Sequence, residues 1–291
     1  MEQQENTHFL KANQILSLKW GLLNFDGIET DLRITSDNKV VIHHDYYTST
    51  GDIIEKTESS KLLKQGVPLL KDFLADDIVI KYLTSSDDRR SFWLEIKTPC
   101  PKKGYPIASD AEKYANTVLE LLDNVKPEKS RVGFISFNWD YLKAFNELSE
   151  YKVYPIMPTI NECTSHKIMV LKALPGFFAH SLSYHINKAK SLNFGGIFFS
   201  KLYVEGFLSF RHPSYKKLLS FQTKDFILGI DVNSEEEENK YRLIHRFTDR
   251  VRPFPRHKKN GEGDIIAHRG VGIKGISLDE KEWKEFIERV K

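Results

Sequence analysis

The residues with most chemistry to offer lie in Gly27-Ile28-Glu29-Thr30-Asp31-Leu32-Arg33 and, shortly after, Val40-Val41-Ile42-His43-His44-Asp45. The first run reads as a strand, and the two-residue spacing of Glu29 and Asp31 puts both carboxylates on one face. Neighbouring carboxylates repel, so unless one keeps its proton the pair invites a hard cation. Asn38 and Lys39 supply a turn, and the apolar run that follows delivers His44 nearby as a proton carrier. On residue types alone, an edge strand with solvated acids is the commoner outcome.

The elements that must position these groups alternate along the chain. Phe9, Ala12, Ile15, Leu16 and Leu22 recur at helical spacing, which predicts an amphipathic helix over 7–23. Residues 46–66 are polar and turn-rich, and a helix begins just after Pro68. Strands follow at 91–97, 132–137, 153–157, 196–200, 224–232 and 264–267, with helices predicted at 110–122, 140–148 and 165–174. The acid-rich start at Glu235 to Glu238 suits the positive end of a helix and reads as a solvated face. This alternation predicts a parallel sheet closed as a (β/α)8 barrel.

Composition narrows the classes. The 291 residues are 40% hydrophobic and carry a formal net charge of +3, which suits a packed core and gives no sign of nucleic-acid binding. The polar, acidic start Met1-Glu2-Gln3-Gln4-Glu5 is no secretory signal, and no apolar run reaches the ~20 residues of a membrane span. Two cysteines, Cys100 and Cys163, make neither a disulfide framework nor a metal cluster, so a cytoplasmic setting is expected. The basic, proline-containing stretch 250–263 reads as an exposed linker, with a weak patch for anionic lipid headgroups as the lesser reading. Ser277 to Glu280 has the pattern of a capping box opening a C-terminal packing helix within 277–291.

In a parallel barrel, chemistry gathers at the carboxyl ends of the strands. Those ends offer Glu29, Asp31, His44, Glu95, Lys97, His268 and Arg269. The carboxylates suit Mg²⁺ or Ca²⁺, the cations a phosphate, and two histidines an acid and a base. Each has a plainer reading: a structural histidine, a local Glu95–Lys97 pair, a half-exposed strand.

Together, Ile266-Ala267-His268-Arg269-Gly270, Glu5-Asn6-Thr7, Gly27-Ile28-Glu29-Thr30-Asp31, His44-Asp45, Leu94-Glu95-Ile96-Lys97 and Ser136-Phe137 resemble the glycerophosphodiester phosphodiesterase family. The resemblance covers residues 5–140 well and thins through 150–250. It implies a TIM barrel in one domain over 1–291, with 46–90 as a short insertion. It also implies Glu29, Asp31 and Glu95 as ligands of Mg²⁺ or Ca²⁺, and Arg269 and Lys97 as phosphate contacts. His268 and His44 become the acid–base pair, either able to take either role. The implied substrate is a glycerophosphodiester, split to glycerol 3-phosphate and an alcohol. A lysophospholipid is the alternative, and a non-catalytic phosphate-binding barrel a third reading.

One feature departs from the family order, in which the histidine-arginine-glycine strand comes first. Here it stands near the end, which implies a circular permutation, or else exchange of the terminal strand between chains. The last strand of the usual order is then expected near Arg246 to Val251. A second departure is Ile230-Asp231-Val232-Asn233, where the family has an aromatic; the change is expected to remove an aromatic wall and add an acid near the rim.

Overall fold

A computed structural model describes residues 7–85, 90–98, 108–157, 181–205, 213–250 and 257–291. Among these are eleven strands: β1 (His8–Leu10), β2 (Gly27–Ile34), β3 (Val40–Ile42), β4 (Ser91–Ile96), β5 (Val132–Ser136), β6 (Lys152–Met157), β7 (Gly196–Phe199), β8 (Ile227–Val232), β9 (His245–Thr248), β10 (Ile265–Ala267) and β11 (Ile276–Leu278). Eight of them pair in parallel in the order β2-β4-β5-β6-β7-β8-β9-β10. The ring closes where Ile266 of β10 aligns with Gly27 of β2 on one side and Phe247 of β9 on the other. This is the closed (β/α)8 barrel that the alternation predicts, and the chain completes it with its own penultimate strand. No helix among the described residues is long and apolar enough to cross a membrane.

The barrel strands are buried on both faces, as parallel strands covered by helices must be. Along β4, Trp93 points inward while Phe92, Leu94 and Ile96 join the outer layer beneath the helices. The interior is plugged by Trp93, Ile135, Tyr154, Phe198 and Ile266. Phe198 stacks on Phe247 at 4.5 Å and meets Trp93 edge-on at 5.0 Å. Gly229 makes room for this plug, since a Cβ there would stand 1.9 Å from the Phe198 ring. A filled interior leaves the two rims as the places for polar groups.

Several expectations are corrected. The predicted helix over 7–23 is a strand and a helix: His8–Leu10 pair antiparallel with β11, and the helix spans only Ile15–Asn24. Tertiary pairing overrides the helical spacing there, and Phe9 is left exposed. The capping box lies two residues further on, with Asp279 and Glu282 reciprocally bonded, because Ser277 and Leu278 are held in β11. The turn-rich stretch 46–66 contains a helical turn, Ile54–Lys56, and a short helix, Ser59–Lys64, over a small core of Val41, Ile54, Leu62, Val67 and Leu69. The expected last strand is β9, shorter than the sequence suggests. Ile230 is fully buried in the outer layer, so it walls no mouth; Asp231 accepts a hydrogen bond from the Lys201 N–H at 3.0 Å. Glu237 and Glu238 are not a solvated face, since Glu237 pairs with Lys201 and Glu238 accepts from Thr248. Glu5-Asn6, Cys100, Cys163, the predicted helix 165–174 and residues 251–256 lie outside the described residues.

At the opposite, amino-terminal end of the barrel, the incoming chain is tied down before β10 begins. Asp26 Oδ2 accepts N–H groups from Lys258 (2.7 Å) and Ile265 (3.0 Å), and Oδ1 lies 3.4 Å from His257. Asp264 pairs with Lys258 and, at 3.4 Å, with His245. Although burial works against it, these partners pull the Asp264 carboxyl down to about 2.

Candidate active site

The period of two along β2 sends Glu29 and Asp31 to the same inward face, and both are essentially inaccessible to solvent. The parallel register sets Asp31 opposite Glu95 on β4. Carboxylate oxygens of Glu29, Asp31 and Glu95 consequently lie within 4.8 Å of one another. Lys97 reaches back to pair with Glu95 and stands 3.1 Å from Asp31 Oδ1.

The loop after β10 brings the remaining groups from the far end of the sequence. Arg269 has a left-handed backbone (φ 52°), as does Gly270 (φ 78°), where a Cβ would strike the Ser17 carbonyl at 2.5 Å. A non-glycine residue held in that conformation stores strain, and such strain concentrates at functional sites. The conformation turns the Arg269 N–H onto Glu29 Oε2 (3.1 Å) and its Nε to within 3.0 Å of Asp31 Oδ2. His268 Nδ1 lies 2.9 Å from Asp249 Oδ1, while its Nε2 lies 3.5 Å from Glu29 Oε2. Asp249 stays ionised: burial opposes this, but the His268 hydrogen bond prevails and holds it below the usual carboxylate range. Nδ1 therefore carries the proton, and Nε2 is the nitrogen presented to the acids.

His44 arrives differently. After β3 folds back on β2, the His43 N–H donates to the Asp31 carbonyl at 2.9 Å, and His44 Nδ1 lies 2.6 Å from Asp45 Oδ1. Burial, and next the Lys97 charge, push the His44 imidazole down to about 4, so it is neutral near pH 7. Both His44 and His268 stand close enough to Asp31 to favour its ionised form.

All seven residues singled out in the sequence thus converge at one rim. Three further residues belong to the site. Asn13, also left-handed (φ 58°), donates from Nδ2 to Asp31 Oδ2 at 2.6 Å and accepts from Thr30. Asp249 orients His268, and Arg33 holds the His44 carbonyl with Nε and Nη2 at 3.0 and 2.8 Å. Arg33 carries a signal, as the next inward position of β2 after Asp31, while Asp249 follows β9 and reads as a loop acid. Asn13 carries none.

The electrostatics describe an incomplete centre. Burial first, and the Asp31 charge second, raise the Glu29 carboxyl to about 8. For Asp31 the burial cost is outweighed by Lys97 and Arg269, which keep it well below the ordinary range. Glu29 Oε1 is buried and has no hydrogen-bond partner among the described residues. Protonated Glu29 leaves Asp31 and Glu95 balanced by Lys97 and Arg269; once it is ionised, three carboxylates against two cations leave one negative charge, the wrong sign to receive a phosphodiester. A divalent cation would make the site net positive, and hard carboxylate oxygens are the donors that Mg²⁺ and Ca²⁺ take.

Comparison with known proteins gives the family and the fold. The model of the family described as "Glycerophosphoryl diester phosphodiesterase family" matches residues 22–200, well over half of the chain. A crystal structure of a glycerophosphodiester phosphodiesterase from Parabacteroides distasonis is 18% identical, with 96% of this chain and 91% of that one covered and a TM-score of 0.54. The enzyme from Thermotoga maritima gives 17%, 89%, 88% and 0.54. A phosphodiesterase from Oleispira antarctica, in complex with the product sn-glycerol-3-phosphate, gives 16%, 79%, 83% and 0.54. No curated relative matches in sequence. At these identities the structures speak for the fold, and the family match carries the rest: the chain belongs to the glycerophosphoryl diester phosphodiesterase family of phosphodiester hydrolases.

Proposed function

We propose that the protein hydrolyses glycerophosphodiesters to glycerol 3-phosphate and an alcohol, with a divalent cation and two histidines. The observation that carries this reading is that His268 and Arg269 both contact Glu29, encoded some 240 residues earlier, at 3.5 and 3.1 Å, beside Asp31 and Glu95. Glu29, Asp31 and Glu95 would hold Mg²⁺ or Ca²⁺. When bound, that cation supplies Lewis-acid stabilisation of charge on the phosphoryl oxygens. Arg269 and Lys97 bind the phosphate, and Asn13 fixes the Asp31 carboxylate. One histidine accepts the proton of the attacking hydroxyl or water, and the other protonates the departing alcohol. The product complex of the Oleispira antarctica phosphodiesterase supports glycerol 3-phosphate as the product.

The same reading makes the whole chain one barrel unit in which the first family strand has moved behind the last. The family match ends at residue 200, short of β10, as a relocated strand would leave it. The cysteine content favours a cytoplasmic setting.

The test is to incubate the protein with glycerophosphoethanolamine or a lysophospholipid, with Mg²⁺ or Ca²⁺ and then with EDTA, and to measure glycerol 3-phosphate or lysophosphatidate. Glycerol 3-phosphate formation abolished by EDTA is expected. Turnover of the lysophospholipid alone would change the substrate. No hydrolysis of either diester, with no cation binding, would leave a phosphate-binding barrel.

A further inference from the structure

Arg33 occupies the inward position of β2 next beyond Asp31, and its guanidinium is almost wholly buried. A buried cation at the rim of a phosphodiesterase invites assignment to the phosphate. Its contacts point elsewhere. Nε and Nη2 close together on one acceptor, the His44 carbonyl, at 3.0 and 2.8 Å. Nη1 donates to Glu55 Oε1 at 2.7 Å. Glu55 sits in the helical turn Ile54–Lys56, whose Ile54 is fully buried in the small core formed with Val41, Leu62, Val67 and Leu69. A planar fork of this kind fixes direction as well as charge, which a lysine ammonium cannot do.

We infer that Arg33 is a positioning residue that acts through His44, with Glu55 and the 46–66 segment as its anchor. The inference rests on the reading of His44 as an acid–base group. His44 sits on a chain turn beyond β3, and its ring is bonded to Asp45, its neighbour in sequence, so that bond cannot fix the loop itself. Two bonds that tie the loop to the barrel strand β2 are the guanidinium on the His44 carbonyl and the His43 N–H on the Asp31 carbonyl. Catalytic geometry tolerates little slack: about 1 Å of misplacement can cost ~10²-fold in rate. The segment 46–66 thereby becomes part of the catalytic apparatus while contributing no reacting group.

The experiment is a double-mutant cycle on the cation-loaded protein, with glycerophosphoethanolamine as substrate. Arg33→Lys should lower kcat by ~10-fold or more, with KM and the Mg²⁺ dependence within about twofold of wild type. In a His44→Ala background the same substitution should lower kcat by less than about twofold, because the group it positions is gone. Glu55→Gln should repeat the pattern more weakly, and it decides the matter if Arg33→Lys does not fold. Equal losses in the wild-type and His44→Ala backgrounds, or a change confined to KM, would overturn the inference and make Arg33 a structural or phosphate-binding residue. A wild-type protein that hydrolyses no diester fails one step earlier, on the function itself, and takes this assignment with it.

Discussion

Both ends of the barrel bury acids beside histidines and lysines, yet the two ends differ in how completely those acids are satisfied. At the amino-terminal end Asp26 receives two backbone N–H groups, and Asp264 is matched by Lys258 and His245 and held down at about 2. At the carboxyl end Glu29 keeps an oxygen without a hydrogen-bond partner among the described residues, and its carboxyl is pushed up to about 8. A buried ion pair with every partner in place holds chain together. One left short of charge and donors is prepared for something the chain does not itself contain.

The sharpest way to break this contrast is to remove the two histidines proposed as proton carriers. His268→Ala and His44→Ala should each lower kcat by at least ~10²-fold, measured by glycerol 3-phosphate release, with thermal stability nearly unchanged. A near-wild-type rate in either variant removes that histidine from the reaction. The opposite signature is expected at the other end: Asp264→Asn should cost about 2 kcal/mol of stability at neutral pH in urea denaturation, with kcat within about threefold of wild type. Its folded value lies below the ordinary 3.8, so its contribution is present above that pH and is lost as pH falls toward about 2. The substitution should accordingly flatten the acid limb of the stability profile.

The smallest effect concerns the proton on Glu29. A cation binds the carboxylate, so binding must displace that proton while pH lies below about 8. Mg²⁺ affinity, measured by calorimetry, should rise up to tenfold per pH unit approaching about 8 and level above it. In the metal-free protein the same shift makes stability fall as pH rises from 4.5 to about 8. Affinity independent of pH would mean that Glu29 is no ligand.

Much of the barrel was legible in the sequence because its strands are short apolar runs between turn signals, and Glu29 with Asp31 shows the period of a strand openly. What escaped depended on partners far away in the chain. Nothing local distinguishes His8–Leu10 from a helix, since its strand state is imposed by β11. The capping box starts at Asp279 rather than Ser277 for the same reason. Asn13 is one polar residue before a helix until folding brings Asp31 to 2.6 Å from it. Asp249 looks like a loop acid until β10 arrives beside β9. The chemistry was read from residue types; the supports of that chemistry are tertiary facts.

The late place of β10 in the chain carries a consequence for synthesis. A ribosome extends the polypeptide from its amino terminus, so seven of the described barrel strands, with Glu29, Asp31 and Glu95, emerge before the closing strand exists. Until then β2 and β9 are open edges, each able to pair with a stray strand. A nascent chain stalled before Ile265 would hold the acidic cluster without His268 and Arg269, and so, on the proposed reading, lack a proton carrier and a phosphate contact. On that reading, activity and closure of the two sheet edges come together, when β10 and the loop after it are made.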